Sequence, residues 1–184
     1  MTTVSKSVSE RLRRSIRSIP DFPKPGIMFR DITTLLQDIE AFTLAMTTFE
    51  ELAIPLRPQK IIGTESRGFI FGAPLALQLN AGFVPVRKPG KLPAATRSVS
   101  YDLEYGSDQL EIHVDAIKPG ERVLMIDDLL ATGGTMQATC QLVEELGGVV
   151  VGCLFLVELS FLEGRKLLHD FPVYSLVNYE SEDE

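Results

Sequence analysis

Apolar positions along this chain fall into two alternating patterns. Near residues 60, 84, 123, 150 and 174 they form short unbroken runs: Lys60–Gly63, Phe83–Val86, Val123–Ile126, Val149–Val157 and Val173–Val177. Unbroken runs bounded by turn formers predict buried strands. Between them the apolar residues recur at helical spacing, as in Val8, Leu12, Ile16 and Ile19, which predict a first helix that ends at Pro20. Phe42, Ala45, Met46, Phe49 and Leu52 predict a helix over about 40–52, and further helices are predicted over 69–79, over Met136 to Leu146 and over 158–168. Val99–Tyr105 and Gln109–Val114 alternate around Gly106-Ser107-Asp108, which predicts a hairpin. Strands alternating with helices predict an α/β fold, a mainly parallel sheet flanked by helices on both faces, with an antiparallel hairpin appended. Ligands of such sheets bind beyond the carboxyl ends of the strands.

The stretch Val123–Thr135, VLMIDDLLATGGT, carries the sharpest chemistry. Its apolar run ends in Asp127 and Asp128 and then in the small-residue loop Ala131-Thr132-Gly133-Gly134-Thr135, just before a helix. Glycines let a backbone approach an anion, the threonine hydroxyls donate, and the first helical turn offers unpaired N–H groups at the positive end of the dipole. Two ionised carboxylates accept hydrogen bonds and repel a phosphate, so they suit vicinal hydroxyls or a shared magnesium ion. Hydroxyls beside a phosphate describe a ribose 5-phosphate. Neither a P-loop nor a dinucleotide glycine fingerprint is present.

This run resembles the ribose-5-phosphate loop of the type I phosphoribosyltransferases, which bind 5-phosphoribosyl 1-pyrophosphate (PRPP). The resemblance implies that fold, and implies that Asp127, Asp128, Ala131, Thr132, Gly133, Gly134 and Thr135 hold the ribose and its 5-phosphate.

Three further segments extend the likeness. Thr64-Glu65-Ser66-Arg67-Gly68 follows a strand and opens a helix, and on its residues alone it reads as a capped helix start or an anion loop. Arg87, Lys88 and Lys91 flank the turn Pro89-Gly90 in an otherwise acidic chain, and read as a solvated charge run or a mobile positive loop. Asp21-Phe22-Pro23-Lys24-Pro25-Gly26 leads into Ile27–Ile32 and reads as a connector or a rigid lid. Together they are similar to the adenine phosphoribosyltransferases. That resemblance implies pyrophosphate binding by Glu65, Ser66, Arg67, Arg87, Lys88 and Lys91, with a cis peptide near Glu65-Ser66. It also implies an N-terminal hood in which Met28, Phe29 and Arg30 contact adenine, and a lid hairpin whose Glu104 and Tyr105 are catalytic. Mg2+ is implied as cofactor, held mainly through the substrate and through water at Asp127 and Asp128, and a homodimer is implied as the assembly.

Length and charge narrow the picture further. With 184 residues and 45% hydrophobic content the chain suits a single domain over 1–184, with helix and hood over about 1–35 and the lid over about 88–114. A net charge of −7 disfavours nucleic acid as a partner. No apolar run reaches the ~20 residues that span a bilayer, so no membrane partner is expected. Cys140 and Cys153 lack ligand spacing and read as small buried hydrophobes, in keeping with the cytoplasm. The expected activity is purine salvage, turning adenine and PRPP into AMP and pyrophosphate. The alternatives are transfer to another purine, and a non-catalytic PRPP sensor.

Overall fold

The computed structural model describes residues 4–102, 107–182 and 184. In chain order it contains α1 (Lys6–Arg14), β1 (Arg17–Ile19), β2 (Phe29–Asp31), α2 (Thr33–Gln37) and α3 (Ile39–Ala53). Next come β3 (Lys60–Thr64), α4 (Gly68–Gln78), β4 (Gly82–Val86) and an antiparallel pair, β5 (Thr96–Asp102) with β6 (Ser107–His113). Beyond them, short 3-10 turns apart, lie β7 (Arg122–Leu130), α5 (Gly134–Glu145), β8 (Val149–Leu159) and β9 (Val173–Tyr179).

The sheet is built around β7. Five parallel strands stand in the order β4-β3-β7-β8-β9, and Val123, Leu124, Met125 and Ile126 of the central β7 are fully buried. Successive side chains point to opposite faces. Leu124 and Ile126 pack with Phe49 of α3 and Phe71 of α4, while Val123 and Met125 pack with Met136 and Leu142 of α5 and with Leu110 and Ile112 of β6. A sheet covered on both faces requires continuous apolar strands, which is why the runs show no alternation. Phe71 is fully buried and edge-on to Phe42 at 6.0 Å and Phe49 at 5.8 Å, so its truncation to alanine costs on the order of 3–5 kcal/mol.

This topology also builds the site. β4, β3 and β7 are adjacent and parallel, so the loops leaving Val86, Thr64 and Leu130 emerge side by side at the carboxyl end of the sheet. β5 and β6 pack over the same end through an isolated bridge between Arg87 and Glu111.

Four local expectations are corrected. The first helix stops at Arg14, because Arg17–Ile19 pairs antiparallel with Phe29–Asp31, where Arg17 forks onto Asp31. Hydrogen bonds from Arg17 and Thr33 bring the Asp31 pKa down to about 2. The acids Asp127 and Asp128 lie within β7 rather than after it, since Leu129 and Leu130 go on pairing with β8. Over 158–168 there is no α-helix: β8 runs on to Leu159, and the 3-10 turns Ser160–Leu162 and Gly164–Leu168 are split at Glu163, whose φ is +55°. The hairpin strands begin at Thr96 and Ser107, so Ser107 and Asp108 of the predicted turn pair with Asp102 and Tyr101 instead, and Gly106 lies outside the described residues. Among the described residues no helix is long and apolar enough to cross a membrane.

Candidate active site

A cleft of about 560 Å³ opens where the three loops meet. Glu65, Ser66 and Arg67 line it from the end of β3, Lys88 from the end of β4, and the whole run from Asp127 to Met136 from β7 through α5. Tyr101 and Leu110 of the hairpin close one side and Phe155 lies beneath. The cleft thus brings together Glu65, Ser66, Arg67, Lys88, Asp127, Asp128, Ala131, Thr132, Gly133, Gly134 and Thr135.

The loop before α5 is shaped for an anion. Gly133 has φ +90°, a left-handed conformation that glycine adopts without strain, and it caps α5 with no side-chain hydrogen bond. The first N–H groups of the helix therefore stay available to a ligand.

Charge in the cleft is arranged in pairs. Arg67 Nε stands 2.8 Å from Asp128 Oδ2 as an ion pair, yet no hydrogen bond is directed at that buried oxygen, which leaves it acceptor capacity. Burial and the neighbouring Asp128 charge push the Asp127 carboxyl well above its ordinary range. Asp128 is also raised by burial, against the pull of Arg67. Two adjacent carboxylates, Asp128 buried and Asp127 partly exposed to the cleft, favour a ligand that brings positive charge or hydroxyl donors.

The cation loop is organised by one acid. Glu65 accepts from Arg87 Nε and Nη2 at 3.2 Å each, from Lys91 Nζ at 2.6 Å and from Lys88 N at 3.0 Å. Burial opposes its ionised form, but hydrogen bonds from Lys91 and Arg87 prevail and bring its pKa down to about 2. Arg87 and Lys91 are drawn onto this carboxylate and do not line the cleft, whereas Lys88 reaches the cleft and pairs with Asp108. Burial alone would lower the Lys88 pKa, and Asp108 raises it instead.

Asp108 and Tyr101 escaped the sequence reading. The Tyr101 hydroxyl donates to Asp108 at 3.2 Å and accepts from Thr135 at 3.3 Å, tying the hairpin to the start of α5. Val99, Tyr101 and Leu110 lie on the inward face of the alternating pattern, and that alternation was the signal available for Tyr101. Glu104 and Tyr105, the expected catalytic pair, lie outside the described residues.

Along the hood, Phe22-Pro23 is cis and Phe22 packs edge-on to Phe29 at 5.1 Å, with the Arg67 guanidinium 5.7 Å from the Phe29 ring. The expected cis bond at Glu65-Ser66 is also present. Met28 N donates to Glu182 Oε1 at 3.2 Å. Arg30 turns away from the cleft: it is buried, donates to Ser18 Oγ at 2.6 Å and to Glu182 O at 2.9 Å, and lies 3.9 Å from the centre of the Tyr179 ring.

The profile of the phosphoribosyl transferase domain matches residues 32–183. An adenine phosphoribosyltransferase from Acidobacterium capsulatum is 58% identical over 170 residues, 92% of this chain and 94% of that protein. The chain belongs to the adenine phosphoribosyltransferase family. The crystal structure of a family member from Thermoanaerobacter pseudethanolicus superposes with a TM-score of 0.90 at 53% identity, covering 92% of this chain and 99% of that one. A Saccharomyces cerevisiae member complexed with an imino-altritol bisphosphate and adenine superposes with a TM-score of 0.88 at 40% identity, covering 94% and 99%. The parallel sheet with its hairpin is therefore the type I phosphoribosyltransferase fold, and the chain is a transferase of this family.

Proposed function

We infer that this chain acts in purine salvage by transferring the phosphoribosyl group of PRPP to adenine, giving AMP and pyrophosphate. The observation that carries the reading is the convergence of the Asp127–Thr135 run and the Glu65–Arg67 loop on one cleft, in a chain whose relatives are named for this reaction. The test is pyrophosphate release from PRPP with each purine base offered separately.

In this reading the N–H groups of Gly133, Gly134 and Thr135, with the Thr132 hydroxyl, hold the 5-phosphate. Asp127 and Asp128 accept hydrogen bonds from the ribose hydroxyls and favour positive charge at the ribosyl carbon as its bond to pyrophosphate breaks. Arg67 and Lys88 neutralise the departing pyrophosphate, while Glu65 holds Arg87 and Lys91 ready beside them. The base lies beneath Met28 and Phe29, and Arg30 anchors β2 beside them. Its N9 forms the new bond to the ribosyl carbon and releases its proton to Glu104 or to water.

The donor set suits a shared magnesium ion. Among the described residues no group of three or more acids, histidines or cysteines converges, but Asp127 and Asp128 offer adjacent carboxylates and Asp128 Oδ2 accepts no hydrogen bond. Mg2+ keeps several waters and binds through one or two carboxylates plus substrate phosphates. Held between these acids and PRPP, it would neutralise charge on the pyrophosphate.

We further propose that the chain works as one domain in which the hood over about 1–35 and the hairpin over about 88–114 close on the substrates. The buried free thiols of Cys140 and Cys153 agree with a cytoplasmic setting, and the family resemblance supports a homodimer. Size-exclusion chromatography with light scattering reads the assembly directly.

A further inference from the structure

The phosphate loop is backed by a piece of chain that the reaction itself does not touch. This is the turn Gly164–Leu168, and it meets the loop backbone to backbone. A methyl group placed on Gly164 would stand 2.2 Å from Ala131 O and 3.0 Å from Leu130 Cδ1, and one placed on Gly133 would stand 2.5 Å from Gly164 O. No side chain fits at either position, so the two backbones lie directly against each other.

The turn is itself fastened from behind. Arg165 donates from Nε and Nη2 to the two oxygens of Glu158 at 2.7 Å each, and from Nη1 to Val173 O at 2.9 Å. Ser175 Oγ donates to Glu158 Oε2 at 2.5 Å. Burial opposes the charge of Glu158, yet the Arg165 fork and the Ser175 hydroxyl hold its carboxyl below the usual range. Glu158 is the register partner of Leu130, the last residue of β7 before the loop, and Leu168 is fully buried in the core that contains Met136 and Cys140 of α5. A two-point ion pair, buried at Glu158 and half-exposed at Arg165, thus fixes Gly164 relative to the strand that launches the loop.

We propose that Gly164, held in place by the Arg165–Glu158 pair, is a positioning residue for the 5-phosphate end of PRPP. The proposal rests on the reading of 131–135 as the phosphate loop. A side chain at 164 must displace the Ala131 carbonyl and the Leu130 side chain or lift the turn off the sheet. In either case the loop N–H groups move relative to the phosphate, and hydrogen bonds weaken steeply with distance and angle. The hood lies on other elements and is untouched by this shift.

Gly164→Ala and Arg165→Lys test this in the full chain with Mg2+. Ribose 5-phosphate binding is measured by calorimetry, KM is measured for PRPP and for adenine, and Tm is followed alongside. For Gly164→Ala the ribose 5-phosphate Kd and the PRPP KM are expected to rise about tenfold or more, with adenine KM at saturating PRPP held within a factor of about two. Arg165→Lys keeps the charge but not the fork, so the same split is expected in smaller measure. A purely structural role would lower Tm without separating the two KM values. A folded Gly164→Ala protein with unchanged PRPP KM, or with both KM values raised equally, overturns the proposal. Should that variant fail to fold, Arg165→Lys decides by the same ratio. If the unaltered chain binds no ribose 5-phosphate, the loop reading itself fails and this proposal falls with it; binding by the unaltered chain with no change in either variant removes only the role of Gly164.

Discussion

The Glu65 carboxylate takes the Arg87 guanidinium in a two-point grip, Nε on Oε2 and Nη2 on Oε1, each at 3.2 Å. Lys91 closes on the same carboxylate at 2.6 Å. An acid at the centre of the cation loop is explained by these bonds. Glu65 offsets part of the positive charge and fixes the positions of side chains that would otherwise splay apart.

Glu65→Gln therefore separates charge from shape. The amide cannot accept the whole set, so the loop from Arg87 to Lys91 loosens and PRPP KM rises by about three- to tenfold with little change in adenine KM. Stability carries a second signature. The Glu65 pKa falls from 4.5 to about 2 on folding, so its contribution is present above about pH 4.5 and is lost as pH falls toward 2. Urea unfolding at pH 7 should show the variant less stable than the unaltered chain, with the gap narrowing at pH 3. A gap independent of pH would refute the assignment.

Asp127→Asn is expected to move stability and activity in opposite directions. A carboxyl whose pKa is raised in the fold contributes stability below its ordinary 3.8 and loses it as pH rises through the folded value. At neutral pH this acid, pressed against Asp128, is thus a liability to the fold. The amide relieves it, so Tm should hold or rise while turnover of PRPP falls roughly 100-fold or more. Unchanged kinetics would remove Asp127 from the ribose site.

Glu182 competes for the hood. Its carboxylate accepts from Met28 N, the backbone donor expected to read the adenine edge. Glu182→Ala should free that N–H and lower adenine KM by about two- to tenfold, leaving PRPP KM unchanged. An adenine KM that rises instead would mean that the contact shapes the hood for the base.

What the sequence made legible was local. The strand, loop and helix of Val123–Glu145 are signalled within one short stretch, where apolar runs, glycines and helical spacing all agree. The Glu65–Arg87 grip joins residues 22 apart and depends on β3 lying beside β4, which no local pattern reveals. Arg30 reads as a pocket arginine until the chain returns through β9 and places Tyr179 under its guanidinium. Arg17–Ile19 carries a helical apolar pattern, and tertiary pairing with Phe29–Asp31 overrides it. The turn at Gly164 was hidden for a similar reason, because Arg165 answers to Glu158 and Ser175 on two neighbouring strands.

Pyrophosphate release from PRPP with Mg2+, measured with adenine, hypoxanthine, guanine and xanthine in separate reactions, tests the central claim most directly. Release with adenine alone is the expected result. Release with a different base would keep the phosphate and ribose assignments and overturn the hood as an adenine reader, and PRPP binding without reaction of any base would contradict the enzyme and leave a sensor in its place.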